Sequence, residues 1–339
     1  MMKKARILLP PKISLIGSGS WATALAKVLV DNGNNLLWYF RNPKNIEYMK
    51  LNGRQKNYLR TCEFDSSLFR MTSDIQEAVN DADILLFVTP SMFFEDAMGK
   101  IDSETIKNKF IISGTKGFVT DKNITVAEYF HTQHNIPFEK IGVISGPCHA
   151  EEVAAESLSY MTLSSKHIET AEYFCKLFKN KNVYTIAGTD IYGVEYSAAL
   201  KNIYAIASGI CHSLGFGDNY LAVLATNSYH EMISFMDTTH LDENRIMSKS
   251  AYLGDLLVTM YSQFSRNRTF GAMIGKGYSV KSAIVEMEQV VEGLYACKAL
   301  HNICKEYSIE MPIADTIYKI LWEGGNPELC INKMNDHIQ

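Results

Sequence analysis

The apolar positions of the chain change period partway along it. In the first half, short runs of strand length occur at Ile13 to Ile16, Leu36 to Phe40, Asp83 to Val88, Phe110 to Ser113 and Ile141 to Ser145. Between them, apolar residues recur at helical spacing, as in Ala22, Leu25, Ala26 and Leu29, a stripe that Asn32-Gly33 stops. Ser73 to Val79 reads as an N-capped helix, and Tyr160 to Ser164 with Val183 to Ile186 complete the strands. Asn42 to Phe69 is polar and irregular and reads as a helix with long surface loops. Strand alternating with helix predicts a doubly wound parallel sheet. From about Thr189 the β-rich runs cease. Helical patterns follow at Tyr192 to Gly209, Tyr220 to Phe235, Met247 to Tyr261, Ser279 to Glu288 and Leu294 to Tyr307. The expected fold is α/β over residues 1–188 and all-α over residues 189–339, with no repeat of fixed period.

Composition narrows the function classes. At 339 residues the chain can bury two cores, and 47% hydrophobic with 21% charged residues is the make-up of a globular protein. A net charge of -4 leaves no electrostatic footprint for nucleic acid. No run reaches transmembrane length, so no membrane insertion is expected. The opening MMKKARILLPPK has only Ile7-Leu8-Leu9 as its apolar part, too short for a signal peptide. Seven scattered cysteines without a CxxC pair fit a reducing, cytoplasmic location. His149, His212 and His230 lack metal-ligand spacing, so no metal is assigned.

The first candidate chemistry is Gly17-Ser18-Gly19-Ser20-Trp21-Ala22, set between a strand and a helix. Gly17 permits a tight turn, Gly19 lets backbone approach a pyrophosphate, and Ala22 permits close helix packing. The helix N-terminus then offers unpaired N–H groups to phosphates. A glycine triplet alone is weak; the flanking strand and helix make it a dinucleotide site. After the second strand stands Arg41, where an acid would bind a ribose hydroxyl. It fits either a 2'-phosphate, which predicts NADP accepted at least as readily as NAD, or a solvated loop. Pro90 and Phe93 follow a strand end and are placed at the cofactor cleft.

Further candidates lie at later strand ends and in the helical half. Lys116, in Gly114-Thr115-Lys116-Gly117, reads as a cation for a substrate oxygen or as a turn lysine. Ser145-Gly146-Pro147 offers backbone N–H groups or a rigid turn. Lys201 is the one lysine of a very apolar helix. Desolvation would make it an acid/base near neutrality, but the rarity of buried lysines favours one that snorkels to solvent. Ser265-Arg266-Asn267-Arg268 suits a phosphate, or forms a solvated basic turn. Asp255 sits between apolar residues and needs a partner, and Glu292 reaches the cofactor or ends a helix.

Taken in order, IGSGSWATALA, GTKG, ISGP, ALKNIYAIASGI, GFGDN, LGDL, SRNRTFG, VVEG and MPI resemble the bacterial-type NAD(P)-dependent glycerol-3-phosphate dehydrogenases, from Ile13 to about Glu323. The resemblance implies a Rossmann domain, a helical domain and a homodimer. It implies reversible hydride transfer between NADH or NADPH and dihydroxyacetone phosphate, giving sn-glycerol 3-phosphate for phospholipid synthesis. It puts Ser20, Trp21, Arg41, Pro90, Lys116, Ala150, Arg266, Val290 and Glu292 at the cofactor. Lys201 becomes the general acid/base, Lys116 the second lysine, and Asp255 with Asn202 the polar network around them. Ser265, Arg266 and Asn267 take the substrate phosphate, and Gly146 and Cys148 contact substrate. Four positions depart from the pattern: Cys148 for Ser or Thr, Asn227 for Arg, Tyr252 for Gly and Leu294 for an aromatic residue. If Arg41 binds a 2'-phosphate, Arg41→Ala lowers the ratio of kcat/KM for NADPH over NADH. An unchanged ratio, below one in the wild type, removes that role.

Overall fold

The computed structural model describes residues 10–119, 121–287 and 289–338, so the N-terminal residues 1–9 read above, and Glu288, lie outside the described residues. Eight strands form one sheet: β1 (Lys12–Ile16), β2 (Asn35–Tyr39), β3 (Arg70–Thr72), β4 (Ile84–Phe87), β5 (Phe110–Ser113), β6 (Ile141–Ser145), β7 (Ser159–Ser164) and β8 (Val183–Gly188). Around and between them lie α1 (Ser20–Asp31), α2 (Pro43–Asn52), α3 (Ile75–Asp81), α4 (Phe94–Met98), α5 (Ser103–Ile106), α6 (Val126–His134), α7 (Ala150–Ala154) and α8 (Ile168–Phe178). The remainder is helical: α9 (Ile191–Ser213), α10 (Asp218–Thr239), α11 (Asp255–Tyr261), α12 (Arg266–Gly275), α13 (Val280–Glu286), α14 (Glu292–Tyr307), α15 (Pro312–Trp322) and α16 (Pro327–Met334).

The strand order is β3-β2-β1-β4-β5-β6-β7-β8, with order reversing on either side of β1. Strands β1 to β6 are parallel, as expected of buried strands with helices on both faces. Successive residues of β4 enter opposite cores: Ile84 and Leu86 pack with α1 and α8, Leu85 and Phe87 with α3, α4 and α6. The predicted parallel sheet runs through β6; β7 departs from it and pairs with β6 antiparallel, Ser145 facing Thr162. The connection from β6 carries only α7 and returns along the same sheet edge, so no crossover is made. Strand β8 then runs parallel to β7. Strand β3 was not foreseen, because its three residues Arg70-Met71-Thr72 form no apolar run.

In the helical part a third core gathers around α9, in which every residue from Gly193 to Cys211 is buried. The predicted stop at Gly209 does not occur; the helix continues to Ser213. Gly209 serves close approach instead. A Cβ there would collide with the Arg268 carbonyl on α12, and a Cβ on Gly271 of α12 would collide with the Ile206 carbonyl on α9. The two helices thus interlock backbone to backbone. Asp190 caps the start of α9 through the Gly193 N–H at 2.9 Å. It also accepts from Arg245 at 2.7 and 3.2 Å and from the Tyr252 hydroxyl at 2.8 Å. Tyr252, one of the departures from the family pattern, therefore has a partner that glycine could not supply. The predicted helix over Met247 to Tyr261 begins instead with a π-helical turn at Ser250–Gly254, after which Asp255 opens α11.

Because α12 carries the SRNR segment, its seat against α9 bears on the site as well as on stability. Gly271→Val should lower the unfolding free energy by at least ~2 kcal/mol, from overpacking a contact with no side-chain slack. Urea denaturation measures it; an unchanged midpoint would show that the helices separate freely.

Candidate active site

Three contiguous clefts run along the carboxyl ends of the strands, the place where open α/β sheets bind ligands. The outermost is lined by Gly17, Gly19, Arg41, Tyr58, Pro90 and Phe93. The middle one is lined by Ser20, Trp21, Ala22, Pro90, Lys116 and Gln289. The innermost reaches Lys201, Asp255 and the start of α12.

The glycine turn fits a dinucleotide. Gly17 has φ +132°, and a Cβ there would lie 2.5 Å from the Val88 carbonyl oxygen, so only glycine passes between β1 and β4. Its own carbonyl accepts from the buried Trp38 indole at 2.7 Å, which fixes the turn. Gly19 differs: a Cβ there meets nothing within 4 Å, so the space above it is open. Gly19 is also the N-cap of α1 and provides no side-chain cap, leaving the first N–H groups of the helix for an anion. Arg41 is exposed and stacks on Phe93, its guanidinium carbon 5.7 Å from the ring centroid.

The innermost cavity is organised by Lys201 and Asp255, 4% and 1% exposed, which form an ion pair. The snorkelling reading of Lys201 is thus overturned: the side chain is buried and ends on a buried carboxylate, not in solvent. Asp255 Oδ2 accepts from Ser145 Oγ at 3.1 Å and from the Gly146 N–H at 3.4 Å, tying α11 to the end of β6. Burial drives the Lys201 ammonium down to about 8; Asp255 opposes this, while the Lys116 charge pushes the same way. Lys116 lines the same cavity, its Nζ 4.9 Å from the centroid of the Trp21 ring.

A second polar chain runs beneath. Asn202 Oδ1 accepts from Asn267 Nδ2 at 2.9 Å, and Asn267 Oδ1 accepts from the Gly293 N–H at 2.9 Å, so α9, α12 and α14 are joined. The SRNR segment opens α12 and is not a solvated turn. Ser265 caps it by accepting from the Arg268 N–H at 3.3 Å. Ser265, Arg266 and Asn267 line the cavity. Arg268 does not, and its Nε is buried without a partner. Glu292, at the first turn of α14, accepts from the Ser91 N–H at 3.1 Å and Ser91 Oγ at 2.5 Å, and burial raises its carboxyl to about 7. Ala150, Val290 and Cys148 also line the cavity. The Cys148 thiol donates to the Gly146 carbonyl at 3.3 Å, and burial pushes its ionisation up to about 11. Gly146 is enclosed behind the wall, its N–H engaged by Asp255. Asn227 lies away on α10, donating to the Val223 carbonyl at 2.9 Å. Leu294 is buried at the start of α14.

Sequence reasoning missed several lining residues, Tyr58, Gln289, His149 and Glu151 among them. Tyr58 lay in a stretch read as loop. Gln289 Oε1 accepts from Ser20 Oγ at 3.3 Å and from Arg266, spanning the glycine turn and α12. His149 and Glu151 follow the β6 strand end, whose position could have flagged them.

Sequence models for a family described as NAD-dependent glycerol-3-phosphate dehydrogenase match residues 12–171 with its N-terminal part and 190–332 with its C-terminal part. A glycerol-3-phosphate dehydrogenase [NAD(P)+] of Staphylococcus epidermidis is 35% identical over 316 residues, covering 92% of this chain and 94% of that one. The Bacillus subtilis enzyme of the same name is 34% identical over 324 residues, covering 95% and 93%. The crystal structure of glycerol-3-phosphate dehydrogenase from Coxiella burnetii superposes with a TM-score of 0.88 at 29% identity, over 96% of this chain and 98% of that one. A ketopantoate reductase from Ralstonia eutropha, TM-score 0.59 at 13% identity, shares the fold alone.

The state of the buried amine can be read directly. Followed by ¹³C NMR, the Lys201 Cε resonance should titrate with a midpoint of about 8, and Asp255→Asn should lower that midpoint further by removing the carboxylate that raises it. A midpoint at the ordinary lysine value, roughly 10.4, contradicts the enclosure described.

Proposed function

The chain belongs to the NAD-dependent glycerol-3-phosphate dehydrogenases, and from that membership we propose how its residues perform the reaction. The enzyme reduces dihydroxyacetone phosphate to glycerol 3-phosphate with NADH or NADPH, reversibly. One observation carries the assignment of roles: the amine of Lys201, held by Asp255, faces the cavity that also receives Lys116 and the first turn of α12.

When bound, the nicotinamide supplies the hydride. Gly17, Gly19, Ser20, Trp21 and Ala22 would hold the dinucleotide with Pro90, Ala150, Val290, Glu292 and Arg266, and Arg41 would meet a 2'-phosphate if NADP binds. Lys201 donates a proton to the carbonyl oxygen of the substrate, and in the reverse direction accepts it from the alcohol. Lys116 stabilises negative charge on that oxygen as it develops. Asp255 keeps the Lys201 amine aimed, and Asn202 supports it. Arg266 and Asn267, with the N–H groups of α12 behind Ser265, anchor the phosphate at a distance, so its binding energy fixes the reacting carbon. Cys148 and Gly146, both engaged within the wall, shape the cavity more than they donate to it.

The same reading makes residues 1–188 the dinucleotide domain and 189–339 the substrate domain, with sn-glycerol 3-phosphate as the product, destined for phospholipid synthesis. Its setting is the cytoplasm, supported by seven free cysteines, and the assembly is the homodimer that the family resemblance implies. No described helix is long and apolar enough to cross a membrane.

Purified protein should consume NADH or NADPH only when dihydroxyacetone phosphate is added. Lys201→Ala should lower kcat at least ~100-fold, the scale of acid/base removal, with cofactor binding retained by fluorescence. Near-normal turnover of that variant removes Lys201 from the chemistry.

A further inference from the structure

Resting on the reaction proposed above, we infer that His149 is a specificity-determining residue whose imidazole accepts the hydrogen of the substrate's free hydroxymethyl group. The substrate carries three polar ends. Lysines meet the carbonyl oxygen and α12 meets the phosphate, which leaves a hydroxyl on the carbon next to the reacting one. That hydroxyl needs an acceptor inside the cavity, since a buried donor left unpaired is costly.

The acceptors of the wall are nearly all engaged within the protein. Asp255 is taken by Lys201, Ser145 and Gly146, and Glu292 by Ser91. Asn202 Oδ1 is taken by Asn267, and the Ser265 hydroxyl caps α12. His149, Glu151 and the hydroxyl of Thr259, which is turned back to the Asp255 carbonyl, are left. His149 shares the cavity with Lys201 and Lys116, and it is the one of these on whose ring both charges act. The ring faces the Val258 backbone on α11 and lies 6.2 Å, centroid to centroid, from Phe264. Its Nε2 is enclosed and makes no close hydrogen bond. As the N-cap of α7 it makes no side-chain cap bond either, so helix capping does not explain it. Burial first, then the two lysines, press its protonation down to about 4, so the imidazole is neutral at working pH and keeps a lone pair for a hydroxyl.

The test compares dihydroxyacetone phosphate with acetol phosphate, in which a methyl replaces the hydroxymethyl. Wild-type kcat/KM should favour the former by at least ~10-fold, the worth of one buried hydrogen bond. His149→Phe should cut kcat/KM for dihydroxyacetone phosphate ~10-fold and leave acetol phosphate within about twofold, and His149→Gln, which keeps an acceptor, should restore part of the preference. Equal losses on both substrates overturn the inference, as does an unchanged preference or its transfer to Glu151→Gln. A wild-type protein that oxidises neither NADH nor NADPH with dihydroxyacetone phosphate overturns the parent reading, and this one with it.

Discussion

The ion pair between Lys201 and Asp255 is the constraint on which the site depends. Two charges removed from water repay their desolvation only when the geometry is good and the remaining lone pairs are satisfied. Here Ser145 and Gly146 satisfy the second carboxylate oxygen, so a strand end, a long helix and the first residue of α11 must meet at one point. Removing either partner would strand the other in a medium that cannot hydrate it. The pair therefore ties the sheet to the helical part, and it leaves the amine poised near neutrality instead of permanently charged.

Other polar links obey the same logic. Asn202, Asn267 and Gly293 join three helices, Glu292 reaches back to Ser91 after β4, and Gln289 spans from Ser20 to Arg266. Each joins residues remote in sequence around the clefts. Apolar packing holds each part, while these bonds set how the walls of the clefts face one another.

Much of this was legible in the chain itself, where one elementary rule governed the residues concerned. The glycine turn was, because Gly17 answers to backbone sterics and Gly19 to the open approach a phosphate needs. The parallel strands were, because burial on both faces demands unbroken apolar runs. Lys201 was ambiguous, because whether a lysine reaches solvent depends on what covers its helix, and that cover comes from α11, α12 and α14. Strand β3 and the antiparallel direction of β7 escaped because pairing, not composition, defines them. His149 and Gln289 escaped because a polar residue in a connecting segment carries no period; only the convergence of distant elements gives it a neighbour.

The cluster of Asp190, Arg245 and Tyr252 at the head of α9 bears on geometry far from itself. An α-helix advances about 100° per residue, so its angular phase at Lys201 is set by where it is clamped about three turns upstream. A slip of a single residue would swing the amine from the cavity into packed hydrocarbon. The length of chain between that clamp and the lysine is thus as much a part of the chemical apparatus as the nitrogen it delivers.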